Sequence, residues 1–186
     1  MRGFWRPWPL DAARAGPRPV APRAGRKGAR PGLAGASVCL LLGVGNPWLR
    51  DDGVGPWLAR RAFRAGWTGL DCGFAPENFT GRVRAVAPAR LVIVDAASMG
   101  LIPGALRRVR AEDLAASAVT GHRLPWPLLV GYLRQICPDL TLVAVEPGRV
   151  VPGTLGLSPP VARAARRLLR LLARDRLEAI PLYRPG

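Results

Sequence analysis

The stretch RLVIVDA at residues 90–96 constrains the fold more than any other part of the chain. Its centre, Leu91 to Val94, is unbroken apolar, whereas a strand with one wet face alternates apolar and polar residues. Such a run suits a strand covered on both faces, as in a parallel sheet between two layers of helices. Weaker signals of alternating kind surround it. Residues 38–43 read as a first strand ending in glycine, 68–72 as a second, 106–109 as another and 140–145 as a further one. Helical spacing runs over 56–65 through Trp57, Ala59, Arg60 and Phe63. Residues 124–136 predict a helix with Leu128, Leu129, Tyr132, Leu133 and Ile136 on one face, Pro125 and Pro127 being tolerable only in its first turn. Residues 159–172 predict a long Arg-laced helix that turns Val161, Ala164, Ala165, Leu168 and Leu172 inward. The order predicts the α/β class: a three-layer sandwich with a mainly parallel twisted sheet and helices on both faces.

The 186 residues suffice for one such domain. Residues 1–36 are rich in Pro, Gly, Ala and Arg and lack hydrophobic periodicity, so they bury too little apolar surface to offset ordering entropy. They are expected to form a disordered extension before a folded domain over 37–186. No apolar run approaches the roughly 18 residues of a membrane span. The formal charge of +16 first suggests a polyanion partner. Its carriers are nearly all Arg, alongside heavy use of Pro, Gly and Ala, a profile that also fits genomic bias, and nucleic acid is not the expected partner. Cys39, Cys72 and Cys137 are odd in number and lack CxxC spacing, which suits small core residues in a reducing cytoplasm. The chain is expected to be a cytoplasmic monomer.

In an open α/β sheet, sites gather beyond the carboxyl ends of the strands. Two features fall there: Asp95, and the loop GVGNPWLRDDGVGP at 43–56. The loop superficially resembles a dinucleotide fingerprint, but Trp48 occupies the third glycine position and no GK[ST] follows. A cap on backbone N–H groups accounts for one of Asp51 and Asp52 but poorly for both. Successive side chains diverge, so one of the pair can face a cavity. Asp95 has its own plain alternative, a hydrogen bond to the backbone of Ala97 or Ser98. His122 is the only histidine, which removes HExxH and His-cluster metal sites. A triad with Ser98 would lack the GxSxG elbow. Two carboxylates and one imidazole form a mixed oxygen and nitrogen set suited to a borderline divalent ion such as nickel or zinc. The residues alone go no further than a candidate Asp₂His site.

The ordered set of motifs resembles the hydrogenase maturation endopeptidases, especially the branch serving the hydrogenase of formate hydrogenlyase. It comprises GxGN…DDGxGP at 43–56, APEN at 75–78, RLVIVDA, MGLIPGALR at 99–107, TGHRLP at 120–125 and the strand at 143–147. The resemblance implies that Asp52, Asp95 and His122 bind nickel carried by a [NiFe]-hydrogenase large-subunit precursor, whose C-terminal extension is then cut off. It assigns no catalytic residue beyond these ligands, and zinc or cadmium is an expected surrogate in vitro. Gly45, Gly53 and Gly55 would allow the turns of the ligand loop, with Asn46 and Asp51 supporting it. Glu77, Asn78 and Arg123 are candidates for contact with the precursor tail. Arg123 stands where the family has a small amide, and residues 1–36 precede the family's usual start. The alternative is a module that holds nickel or escorts the precursor without cutting it.

Overall fold

The computed structural model describes residues 38–115 and 125–185. The predicted extension at 1–36 lies outside the described residues, as do His122 and Arg123. Five strands build one sheet: β1 (Cys39–Val44), β2 (Thr68–Gly73), β3 (Arg90–Ala96), β4 (Leu106–Val109) and β5 (Leu140–Val145). Their order is β2-β1-β3-β5-β4, parallel except for β4, which runs antiparallel to β5. The chain steps from β1 to β2 on one side and returns to β3 on the other. A crevice therefore opens between the carboxyl ends of β1 and β3, the usual place for a ligand in such a sheet.

Alternation along the strands feeds two cores. Leu40, Leu42, Leu91, Ile93 and Leu142 point to one face, where they meet Val83 of α2 (Thr80–Val86) and Leu129 and Leu133 of α4 (Trp126–Ile136). Leu41, Val92, Val94 and Val143 point to the other, against Leu58 of α1 (Val54–Ala59) and Val161, Ala165 and Leu168 of α5 (Pro159–Ala173). Each fully buried Leu or Ile contributes about 1.5–3 kcal/mol. Sheet and helices thus form the expected three-layer α/β sandwich. A short α3 (Ala111–Ala115) follows β4.

The strand β3, the edge strand β4, β5 and the inner face of α5 stand where the residues predict them. Three details differ. The helix expected over 56–65 begins earlier, at Val54, stops at Ala59 and continues as a 3-10 turn over Ala62–Ala65. Phe63, read as part of its apolar spacing, is exposed, because Leu58, Ala59 and Ala62 are the residues that meet the sheet. In α4, Leu128 and Tyr132 lie outward, while Trp126, Leu129, Val130 and Leu133 are buried. The start at Pro125–Trp126 rotates the inner stripe so that Trp126, the largest apolar side chain of the segment, is buried. The helix α2 had no counterpart in the sequence reading.

Cys72 and Cys137 are buried, and burial pushes both thiols above the ordinary cysteine range, with Asp71 adding to the shift at Cys72 and Asp139 at Cys137. Both stay protonated at neutral pH. No helix among the described residues is long and apolar enough to cross a membrane.

Candidate active site

The loop between β1 and α1 is shaped by close backbone approach. Gly45 has φ +127°, and a Cβ there would stand 1.9 Å from the carbonyl oxygen of Asp52. Gly55 needs no positive φ; it is glycine because a Cβ would stand 2.1 Å from the Val44 carbonyl and 2.6 Å from that of Val94. Gly53 is likewise a packing glycine, its added Cβ meeting Pro47 Cα at 2.7 Å. Conformational freedom therefore explains only Gly45 of the three. The Gly55 contact brings the start of α1 directly onto the ends of β1 and β3. Asp52 lies three residues before that contact, and Asp95 directly follows Val94.

The adjacent aspartates do different things. Asp51 is fully buried; its Oδ2 accepts from Gly148 N (2.9 Å), Arg149 N (2.8 Å) and Ser158 Oγ (2.8 Å), and its Oδ1 from Ser158 N (2.6 Å). Burial pushes the Asp51 carboxyl up, but the hydrogen bonds from Ser158, Arg149 and Gly148 outweigh it and hold the group below the ordinary carboxylate range. Asp51 is thus the N–H cap of the pair, but it caps the turn after β5 and the start of α5, nearly a hundred residues away, rather than its own helix. That distance is why local spacing could not reveal its partners.

Asp52 is 1% exposed, and its Oδ2 accepts from Asn46 N at 2.6 Å. Asn46 Oδ1 in turn accepts from Trp48 N at 3.0 Å, closing the loop on itself. Asp95 is 3% exposed, and its Oδ1 accepts from Ala96 N at 2.8 Å. Asp52 is thus buried in the 3-10 turn over Arg50–Gly53 and Asp95 at the end of β3, and each accepts a hydrogen bond from a backbone N–H. Carboxylates of this kind supply the oxygen donors that a divalent cation takes. No group of three or more His, Cys, Asp or Glu able to hold a metal occurs among the described residues, which do not include His122.

Of the residues named for tail contact, Glu77 is half-buried in a 3-10 turn over Pro76–Phe79 after β2, and its Oε2 has no hydrogen-bond partner among the described residues. Asn78 beside it is exposed. Two residues escaped the sequence reading. Glu146 is buried after β5, and its Oε2 accepts from Met99 N (2.7 Å) and Leu101 N (3.2 Å), fastening the segment that follows Asp95. An acid closing the apolar run LTLVAV was the available signal. Ser158, the buried N-cap residue of α5, serves Asp51 and carried no comparable signal.

A hydrogenase maturation protease family model matches residues 57–175, a span that contains Asp95 and begins just beyond Asp52. The hydrogenase 3 maturation protease of Escherichia coli (strain K12) is 35% identical over 136 residues, covering 69% of this chain and 87% of that protein. The solution structure of the endopeptidase HycI from Escherichia coli superposes with a TM-score of 0.71 at 30% identity, covering 80% of this chain and 98% of that one. A crystal structure of the hydrogenase 3 maturation protease gives 0.66 at 33% identity, over 74% of this chain and 90% of that one. With the family model covering more than half of the residues and the sheet, the glycine loop and the buried aspartates in place, the chain belongs to the hydrogenase maturation protease family.

Proposed function

We propose that the chain is an endopeptidase that removes the C-terminal extension of a nickel-loaded [NiFe]-hydrogenase large-subunit precursor. The observation that carries this reading is the pair of buried carboxylates, Asp52 in the loop after β1 and Asp95 at the end of β3, in a member of this family. Nickel arrives with the precursor as part of the substrate, and Asp52, Asp95 and His122 grasp it. The donor set of two carboxylates and one imidazole suits a borderline divalent ion, so zinc or cadmium substitutes in vitro. The ion would serve there as a handle that places the scissile bond in the site, or as a Lewis acid toward its carbonyl. The chain's own groups hold the geometry. Asn46 N fixes Asp52, Ala96 N fixes Asp95, and Asp51 locks the ligand loop to the turn after β5. Glu77, Asn78 and Arg123 contact the precursor tail. The protein acts in the cytoplasm as a monomer.

A time course on the cognate precursor, with and without nickel, tests the reading. Wild type should shorten only the nickel-loaded form. Asp95→Ala and His122→Ala should slow cleavage by about 100-fold or more, at least what losing an outer partner of a metal ligand costs. Equal processing by wild type and Asp95→Ala would sink the ligand assignment. Binding of the loaded precursor with no shortened product would instead favour an escort that does not cut.

A further inference from the structure

A second recess opens at the other end of the sheet's carboxyl edge. It is a cleft of about 730 Å³ between the turn at residues 100–105, the start of β4 and the outer side of α5. Arg163, Arg167 and Arg170 line it from α5, and Arg107 from β4. The three helix positions are spaced i, i+4 and i+7, so they form one stripe. None of the three takes part in an ion pair or hydrogen bond among the described residues, and no acidic side chain lines the cleft. Like charges at this spacing repel, so α5 bears a small cost for carrying them bare. The facing wall is apolar, with Ile102, which is 80% exposed, and Pro103, and Pro160 adds apolar surface at the start of α5.

The cleft communicates with the candidate active site through one segment. Leu106 of β4 pairs with Val145 of β5, and Asp95 of β3 with Ala144, so the mouth of the cleft lies on the same edge of the sheet as Asp95. The chain running from Asp95 becomes the cleft wall, and Glu146 fastens it at Met99 and Leu101 while pairing with Gly104 and Ala105 through its backbone. Gly104 has φ +84°, and a Cβ there would meet the Pro160 carbonyl at 2.6 Å, so the turn and the start of α5 are in direct contact.

We propose that this cleft is a docking site, separate from the bond-cutting centre, for an acidic and partly apolar segment of the protein substrate. The inference rests on the protease reading above. Four guanidinium groups supply the complement to carboxylates, and Ile102 with the prolines supplies the complement to apolar side chains. No aromatic ring lines the cleft among the described residues, which argues against single-stranded nucleic acid, a ligand that needs stacking platforms.

The test uses the full chain, a fluorescein-labelled Glu/Leu peptide, its Lys/Leu counterpart, a single-stranded DNA, and the nickel-loaded precursor. Variants are Arg163→Glu/Arg167→Glu and the milder Arg163→Gln/Arg167→Gln. Both pairs are exposed and should leave the thermal midpoint close to that of wild type. The expected result is a Kd for the Glu/Leu peptide raised about tenfold by the double reversal, a smaller rise with Gln, and weakening with salt. For the precursor, KM should rise by a similar factor with kcat unchanged. Unchanged Kd and KM in both variants overturn the proposal, as does equal binding of the Lys/Leu peptide or preferential binding of DNA. A wild type that cuts nothing, yet loses the Glu/Leu peptide and the precursor on charge reversal, defeats the protease reading and leaves the docking site standing.

Discussion

The two recesses along the carboxyl edge of the sheet are opposites. The β1/β3 crevice is acidic and buried, and its walls are backbone held at contact distance by glycines. The β4/α5 cleft is basic and open, and its walls are long side chains on a helix. The first recess tolerates no added atom, because its geometry is set by backbone; the second tolerates exchange, because its chemistry is set by exposed charge. Asp51 joins them, since it leaves the loop of the first and binds the N-cap of α5, which forms the second.

Removing that joint should have the largest effect. Asp51→Ala leaves the buried N–H and hydroxyl of Ser158 and the N–H groups of Gly148 and Arg149 without their acceptor, and unfolding free energy should fall by about 3 kcal/mol, as read by urea denaturation. A loss under about 1 kcal/mol would mean that the two recesses are held independently. Gly45→Ala should cost about 2–3 kcal/mol, from its positive φ and the overlap with Asp52, and should also disturb cleavage. A well-folded Gly45→Ala protein with full activity would contradict the rigidity assigned to the acidic crevice.

The same contrast appears in acid. The folded Asp51 carboxyl titrates below its unfolded counterpart, so its contribution is complete above the unfolded pKa of about 3.9 and is lost as pH falls through the lower folded value. Stability should therefore drop below about pH 4 in wild type, and this component should be missing from Asp51→Ala when both are followed by unfolding at successive pH values. The smallest effect belongs to the basic cleft. Arg167→Gln relieves repulsion with Arg163 and Arg170 and should raise stability by about 0.2–0.5 kcal/mol, measurable in the same denaturation series at low salt. A destabilisation of 1 kcal/mol would show that the stripe packs rather than waits for a partner.

Periodicity sufficed where one dominant pattern governed an element. The unbroken apolar centre of β3 and the inner stripe of α5 are decided by their own residues, and both stand where they were expected. In α4 two apolar stripes compete, and the choice between Leu128 and Trp126 depends on the angle at which the helix meets the sheet, which no local pattern records. The site divides in the same way. The sequence marked Asp95 by its strand end and the loop by its glycines, but His122 rests on family motifs and lies outside the described residues.

By itself the sequence determined the α/β class, the strand that centres it and the two loops where acids collect, because hydrophobic period and glycine placement act over a few residues. Only the tertiary structure decided which of two adjacent aspartates ties the loop to α5 and which is held within the loop itself. The partners that separate them, Gly148, Arg149 and Ser158 for one and Asn46 for the other, are chosen by how distant segments converge on the edge of the sheet.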